Sequence, residues 1–364
     1  MSNESKPCVP LRSARMRAVG DIMFCKGQLA YARNSGGTFY NQFEWIAEQL
    51  ADADFTMGNL EGTIGQYRTI PFSGYPRFNA PEAALAPLRD CGVDLLTLAN
   101  NHMLDRWEGG VENTLDNVEK YGFAHVGAYR DLAEKQRPVI REVKGIRFGF
   151  LAYTQYTNTM ENRGTDWRAV ALVPYLLKAD FRGDVKRLRA AGAEVVIAFP
   201  HWGGEFLRAP DVTQKIIAEQ LARAGVDIIL GSHAHMVQPT ALQSVTVDGV
   251  DKQVLTVYCL GNFISDHILR YTDNGVILDF TVNEQPDGRF TFDRVGYIPT
   301  YTWKQEGAVR VLPSGKFLEK RPIGMDERNY SRMIESCREI EAVMGSRLRL
   351  IDPSQGQYIG PITL

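Results

Sequence analysis

The sequence contains few cysteines and no cysteine pair. Its 364 residues include five cysteines, spread so widely that no two form a C-x-x-C motif. An odd number of separated cysteines argues against a disulfide framework and against a zinc site built from thiolates. Free thiols fit a reducing compartment, so we interpret the chain as cytoplasmic.

The sequence also lacks long apolar runs. Residues 1–7 are polar and are not followed by the roughly 7–15 apolar residues of a signal peptide. No other segment approaches the ~20 apolar residues that a membrane-spanning helix needs. We therefore expect a protein without a membrane anchor.

Charge of neither sign dominates. The net charge is −2, which gives no electrostatic reason to expect a nucleic acid or a membrane surface as a partner. A hydrophobic content of 44% is that of an ordinary globular protein. Because no repeat, linker or low-complexity run divides the chain, we predict a flexible segment over residues 1–15, a single domain over residues 16–350, and a C-terminal tail over residues 351–364.

Strand-like and helix-like patterns alternate over the first 130 residues. Strands are predicted at Met16–Val19 and Asp54–Met57, and helices at Tyr40–Ala51, Pro81–Cys91 and about 110–121. Alternation of this kind is typical of an α/β sheet with crossover connections.

The second half of the chain combines the same alternation with an antiparallel region. We predict a hairpin over residues 139–152, helices at Pro174–Ala191 and Val212–Ala224, and a C-terminal helix at Met325–Arg347. A period of two from Ala241 to Thr300 indicates antiparallel strands.

Three apolar runs end abruptly in residues that can bind a metal. Four of the six histidines lie at these ends. Because side chains just past the carboxyl ends of parallel strands meet at one edge of a sheet, the pattern suggests a metal-dependent hydrolase. The runs are Val93–Ala99 before Asn101 and His102, Glu194–Phe199 before His201, and Val226–Leu230 before His233 and His235.

Two carboxylates occupy similar positions. Asp21 ends the first strand and Glu61 follows the second. Taken singly, Asp21 could cap a turn, Glu61 could lie at the surface, and His201 could be a hydrogen-bonded structural residue. His233 and His235 are more specific, because residues i and i+2 of an extended segment share a face and can address one site. Residues 155–166 are polar and irregular, and are a candidate active-site loop.

The order of these residues resembles the calcineurin-like metallophosphoesterase superfamily and, more closely, the CapA family associated with poly-γ-glutamate capsule synthesis. That resemblance implies a metallophosphatase-like four-layer α/β/β/α sandwich with mixed central sheets. It is carried by residues 19–23 (VGDIM), 59–62 (NLEG), 98–105 (LANNHMLD), 201–205 (HWGGE), 231–235 (GSHAH) and 260–263 (LGNF).

Two positions depart from the superfamily. Met23 stands where its phosphoesterases have a histidine, and Glu61 stands where they usually have an aspartate. CapA-like sequences share both features. CapA-family members also often carry an N-terminal membrane anchor, which we do not find in this sequence.

The resemblance implies a role for each strand-end residue. Glu61 would bridge two metals, with Asn101, His201 and His233 completing one site and Asp21 and His235 forming the other. One or two divalent ions are expected, and a mixed nitrogen and oxygen set suits Mn, Fe, Zn or Co. A metal-bound water with its pKa lowered to about 7 would be the nucleophile.

Three further residues are candidates for proton transfer. His102 would donate a proton to the leaving group. Asp105 would orient His102, or alternatively would cap the turn into the next helix. Glu205 would be a second acid–base group, or alternatively a neighbour of the metal ligands.

Arg77, Arg106 and Trp202 are candidate substrate contacts, since arginine suits the recognition of carboxylates and phosphates. The alternative for each is a packed or solvated surface role.

Three functions follow from this pattern. The first is hydrolysis of a γ-glutamyl or related amide bond in an anionic or peptide-like small molecule or polymer. The second is phosphoester hydrolysis, which the missing histidine at Met23 disfavours. The third is a non-catalytic accessory role in polymer synthesis. No heptad run predicts an interface between subunits, so the oligomeric state is left open.

Overall fold

Two mixed β-sheets form the centre of the molecule. The computed structural model describes residues 9–65, 71–158, 171–344, 349–350 and 362–363. The strands are β1 Arg12–Met23, β2 Phe55–Glu61, β3 Ile64–Gly65, β4 Ala80–Pro81, β5 Val93–Thr97, β6 Ala124–Val126, β7 Val139–Val143, β8 Ile146–Thr154, β9 Val195–His201, β10 Ile228–Leu230, β11 Thr240–Val247, β12 Val250–Val257, β13 Asn262–Ile264, β14 Asn274–Glu284, β15 Phe290–Gln305, β16 Ala308–Pro313, β17 Arg349–Leu350 and β18 Ile362–Thr363.

Helices lie outside the sheets. They are α1 Lys26–Asn34, α2 Ala47–Ala51, α3 Leu85–Asp90, α4 Trp107–Lys120, α5 Leu132–Lys135, α6 Phe181–Ala190, α7 Val212–Ala224 and α8 Glu327–Met344. Among the described residues, no helix is both long and apolar enough to cross a membrane.

Each sheet has a parallel centre. The first runs in the order β16-β15-β14-β1-β2-β5-β6, with β13 beside β1, and its strands β1, β2, β5 and β6 are mutually parallel. The second runs in the order β11-β12-β10-β9-β8-β7, and β8, β9, β10 and β12 are parallel. Parallel neighbours end at the same edge of their sheet, which is where ligand residues can meet.

The sheets pack face to face. Along β9, Val195, Ile197 and Phe199 belong to the core between the sheets, whereas Val196 and Ala198 belong to a second core under α6 and α7. The ring of Phe55 in β2 stacks on that of Phe150 in β8, with 5.8 Å between centroids. Since strand side chains alternate between faces, burial on both faces requires a cover on each side. The four-layer α/β/β/α arrangement is therefore confirmed.

The first strand is longer than predicted. It begins at Arg12, so residues 12–15 belong to the sheet and not to a flexible segment. Ala14 and Met16 are buried, and Arg15 between them pairs with Asp279 (2.7 Å). Arg12 pairs with Glu194 (2.7 Å), and Arg17 also pairs with Asp279 (2.6 Å). These arginines interrupt the apolar pattern by which a buried strand is recognised. Their ion-pair partners lie far along the chain, so the sequence near the strand does not show that the arginines are paired.

Two predicted helices are shorter than expected. The prediction Tyr40–Ala51 resolves into a 3₁₀ turn, Tyr40–Gln42, and the short α2. The helix predicted at Pro174–Ala191 is found only as α6. It begins at Phe181 because the side chain of the preceding residue, Asp180, accepts a hydrogen bond from the Gly183 N–H and caps the helix.

The other predicted elements agree with the structure only in part. The hairpin, α7 and the C-terminal helix are found as predicted, but within the expected antiparallel region β13 is parallel to β1. In the predicted C-terminal tail, Ile362–Thr363 pairs with β15, and residues 351–361 lie outside the described residues. Cys25, Cys91, Cys259 and Cys337 are buried free thiols.

Gly231, directly after β10, is a site where a side chain has no room. A Cβ there would lie 1.9 Å from the Tyr258 carbonyl oxygen and 2.6 Å from Trp202 Nε1. We predict that Gly231→Ala lowers the free energy of unfolding by about 1–3 kcal/mol through overpacking. At Gly109, in α4, a Cβ would meet nothing within 4 Å, so Gly109→Ala should raise that free energy by about 0.5–1 kcal/mol. Urea denaturation of both variants tests the pair, and equal effects would contradict the prediction.

Candidate metal centre

The strand-end residues of both sheets meet at one place. Asp21 lies in β1, Glu61 ends β2, and Asn101 follows β5, and these are adjacent parallel strands. From the second sheet, His201 ends β9, while His233 and His235 follow β10. All six side chains are buried. The carboxyl edges of two stacked sheets therefore supply one common set of ligand-type residues.

One group of donor atoms surrounds His201. Its Nε2 lies 2.9 Å from Asn101 Oδ1, 3.1 Å from His233 Nδ1 and 3.9 Å from Glu61 Oε1. Burial, followed by the charge on nearby histidines, lowers the pKa of His233 to about 3 and holds the pKa of His201 well below its usual value. Both imidazoles are therefore neutral at pH 7, the form that binds a metal.

A second group surrounds His235. Its Nδ1 lies 3.3 Å from Asp21 Oδ2 and its Nε2 lies 3.7 Å from Glu61 Oε1. Burial disfavours the imidazolium, but the charges of Glu61 and Asp21 outweigh burial and raise the pKa of His235 to about 9. The two groups share Glu61, which lies between them.

The Glu61 carboxylate is buried without a hydrogen-bond partner. Within the described part of the chain, neither of its oxygens accepts a hydrogen bond, and burial raises its pKa well above the usual value. The His235 imidazole, 3.7 Å from Oε1, offsets only part of the cost of burying this carboxylate, because the pKa of Glu61 stays raised. A bound cation would offset the rest. Ligand atoms of Asp21, Glu61 and His201 lie within 4.8 Å of one another, so the residues present fit a divalent ion.

The two histidines of the GSHAH segment do not share an extended face, contrary to the expectation from the sequence. His233 has φ = 94° and His235 has φ = 56°, values that non-glycine residues rarely adopt. Their ring centroids lie 6.0 Å apart, and each ring joins a different group. The strained backbone is held because the His233 N–H donates to Asp21 Oδ2 (3.2 Å) and His235 Nδ1 lies 2.9 Å from Asn262 Oδ1. Strain of this kind is typical of functional sites.

His102 and Asp105 form a hydrogen-bonded pair beside the centre. His102 Nδ1 lies 2.7 Å from Asp105 Oδ2, which also accepts the Phe78 N–H at 2.7 Å. The Phe78 ring meets the imidazole edge-on, with centroids 4.6 Å apart. Because the carboxylate accepts a hydrogen bond from the Nδ1–H, Nε2 is the nitrogen left for chemistry. Asp105 does not cap the following helix, α4, which begins two residues later at Trp107.

The other predicted residues are spread more widely. Glu205 is exposed, and a carboxylate oxygen of it lies within 4.8 Å of nitrogens of His233 and His235. Arg77 is half-buried. Arg106 donates to the carbonyls of Phe78 (3.2 Å) and Arg77 (2.7 Å), and so holds a turn.

Trp202 is fully buried, and its indole N–H donates to the Tyr258 carbonyl at 2.9 Å. It therefore offers no surface to a substrate, because its side chain is part of the core under α7.

Several contacts around the ligands were not predicted. Asn59 Nδ2 donates to Asp21 Oδ1 at 2.8 Å, and Ser232 Oγ lies 2.8 Å from His201 Nδ1. The Tyr156 hydroxyl lies 2.8 Å from His233 Nε2. Asn59 and Ser232 lie within two residues of a ligand in the sequence, a signal that could have found them. Tyr156 lies in the predicted active-site loop, residues 155–166, of which residues 159–166 lie outside the described residues. Met23 is buried with Cys25 and Phe78 in a small apolar cluster.

The fold and this donor set define an α/β-sandwich protein with a candidate metal centre at the strand ends. Residues 15–267 match the family model described as bacterial capsule synthesis protein PGA_cap. The chain belongs to this family, which confirms the resemblance seen in the motifs.

Two relatives extend the match. The capsule biosynthesis protein CapA of Bacillus anthracis is 26% identical over 279 residues, which cover 74% of this chain but only 64% of that protein. The PGA biosynthesis protein CapA of Bacillus subtilis is 25% identical over 276 residues, covering 75% of this chain and 68% of that protein. The chain thus spans less than two thirds of the first relative.

The solved structures to which this chain is similar include a bacterial phosphoesterase. It is the calcineurin-like phosphoesterase YfkN from Bacillus subtilis, which is 14% identical, with a TM-score of 0.44, over 91% of this chain and 99% of that one. A likeness at this TM-score carries no conclusion about function.

Glu61→Gln should separate metal binding from folding. We predict that Zn²⁺ or Mn²⁺, at a free concentration of 100 times Kd, raises the free energy of unfolding of the wild-type protein by about 2.7 kcal/mol. Glu61→Gln should lose this increase. The metal-free variant should be at least as stable as the wild type, because the carboxylate lacks a hydrogen-bond partner among the described residues. Thermal unfolding with and without metal measures both effects.

The matched control is Glu219→Gln, an exposed glutamate paired with Arg223 on α7, which should respond to metal as the wild type does. A metal-induced gain of equal size in Glu61→Gln would contradict the assignment.

Proposed function

We propose that this protein is a metal-dependent hydrolase that cleaves a γ-glutamyl or related amide bond in a polyglutamate-like or peptide-like substrate. The observation that carries the proposal is the buried carboxylate of Glu61, which accepts no hydrogen bond from the described residues. It lies among five other buried side chains of types that bind metals. Such a carboxylate is stabilised by a cation, and a cation at the edge of an α/β sheet lies where substrates bind.

The proposed ligands divide into two positions. Asn101, His201 and His233 would hold one ion with Glu61, and Asp21 and His235 would hold the other with the same Glu61. The mixed imidazole and oxygen set suits Mn, Fe, Zn or Co. When bound, such ions polarise a scissile carbonyl and lower the pKa of a coordinated water.

His102 is the proposed general acid. Asp105 fixes the imidazole by accepting a hydrogen bond from its Nδ1–H, so Nε2 is directed away from the carboxylate, 3.2 Å from the Asn158 side-chain nitrogen. The nitrogen of an amide leaves readily only after it is protonated, and a positioned imidazole can supply that proton. Glu205, exposed beside His233 and His235, is proposed as a second acid–base group at the mouth of the centre.

The substrate class rests on the family and on its relatives' names, which refer to capsule and PGA biosynthesis. Of the three substrate contacts expected from the sequence, we retain Arg77. Arg106 is committed to backbone carbonyls and Trp202 to the core.

His102→Ala should lower kcat by roughly 10²–10⁴-fold, the usual contribution of a positioned general acid, while metal content stays at the wild-type level. The assay is amine release from γ-glutamyl oligomers by metal-loaded protein, with metal measured by mass spectrometry. His125→Ala is the control, since His125 contacts Glu119 outside the centre (3.1 Å) and should leave kcat unchanged.

Two of the following outcomes would contradict the amide assignment, and one would contradict the role of His102. Phosphate release from an aryl phosphate ester without amine release, lost in His235→Ala, would make the protein a phosphoesterase. Full activity in His102→Ala would remove His102 from the mechanism. Absence of both activities, with co-purification of an amide ligase, would favour an accessory role.

A further inference from the structure

The segment after β8, residues 155–158, contacts three of the residues that form the candidate metal centre. The Gln155 N–H donates to the His201 carbonyl at 2.9 Å, and the Asn158 N–H donates to the Asn101 carbonyl at 2.9 Å. Between them, the Tyr156 hydroxyl lies 2.8 Å from His233 Nε2. The segment therefore contacts all three of the residues Asn101, His201 and His233 that form the first group.

The two nitrogens of His233 face different partners. Nδ1 lies 3.1 Å from His201 Nε2, which in turn lies 2.9 Å from Asn101 Oδ1. Nε2 faces away from these donors, towards Tyr156. For Nδ1 to give its lone pair to a cation, the proton must be on Nε2, and a hydroxyl oxygen can accept that proton. His201 is held in the same way, with Ser232 Oγ at its Nδ1.

His233 needs such support more than an ordinary ligand does. Its backbone has φ = 94°, and a side chain on a strained backbone keeps one orientation only if its surroundings impose it. The Tyr156 ring meets the imidazole edge-on, with centroids 5.2 Å apart and planes at 84°. Tyr156 thus contacts His233 through both its ring and its hydroxyl.

We propose that Tyr156 is a positioning residue of the metal centre. Its hydroxyl accepts a hydrogen bond from the Nε2–H of His233, which fixes the imidazole tautomer and would present Nδ1 to an ion shared with Asn101 and His201. This inference rests on the proposed metal-binding function and adds a residue to which neither the family match nor the relatives assign a role.

The chain offers a matched control within the same segment. The Tyr175 hydroxyl lies 2.5 Å from Thr157 Oγ1, one residue after Tyr156. Tyr175 is buried, and its hydroxyl holds the segment through Thr157, whereas the Tyr156 hydroxyl faces His233 Nε2. Tyr175→Phe therefore removes a hydroxyl that supports the segment but does not position His233.

The experiment compares Tyr156→Phe with Tyr175→Phe in the full chain. Each variant keeps its ring and loses one hydroxyl. We expect Tyr156→Phe to bind Co²⁺ or Zn²⁺ about 10–100-fold more weakly, the usual effect of losing a partner of a ligating histidine. Its Co²⁺ visible absorption spectrum should also change, because the geometry at one ligand is altered. Tyr175→Phe should bind both ions with an affinity close to that of the wild type and give the same spectrum.

The outcomes separate this inference from the function on which it rests. A wild-type protein that binds neither ion overturns the proposed function. A wild type that binds metal, with Tyr156→Phe matching it in affinity and spectrum, overturns the inference alone. Equal weakening in both variants also overturns it, since the effect would then come from the segment as a whole. Thermal unfolding of the metal-free variants shows that both fold.

Discussion

The buried carboxylate of Glu61 is the constraint around which the site is built. An ionised carboxylate inside a protein costs several kcal/mol unless a counter-charge compensates it. Among the described residues Glu61 accepts no hydrogen bond, and the His235 imidazole lies 3.7 Å from its Oε1. The fold therefore holds a buried carboxylate at a fixed place, and a cation bound there would offset the cost of burying it.

The topology explains how six ligand-type side chains, Glu61 among them, come together. Parallel strands β1, β2 and β5 end at one edge of the first sheet, and β9 and β10 end at the facing edge of the second. Packing the sheets face to face brings those edges together. The loops after the strands set the directions of the side chains. The positive φ angles of His233 and His235 turn the two rings of one short segment towards two different groups.

Membership of the capsule synthesis family and the geometry of the site bear on different questions. The family match covers residues 15–267 and defines the kind of protein. The proposed chemistry rests on individual contacts, such as Asp105 with His102 (2.7 Å) and Tyr156 with His233 (2.8 Å). Met23 packs in an apolar cluster with Cys25 and Phe78.

The sequence by itself determined the α/β class, the strand ends and the ligand-type residues, because apolar runs and the residues that end them are local patterns. Only the tertiary structure decided that His233 and His235 have positive φ angles, that Trp202 lies in the core, and that Asp105 contacts His102 and does not cap a helix. Tyr156 and His233 are 77 residues apart. Their contact depends on the order of β8, β9 and β10 within the second sheet, and no local pattern of residues records that order.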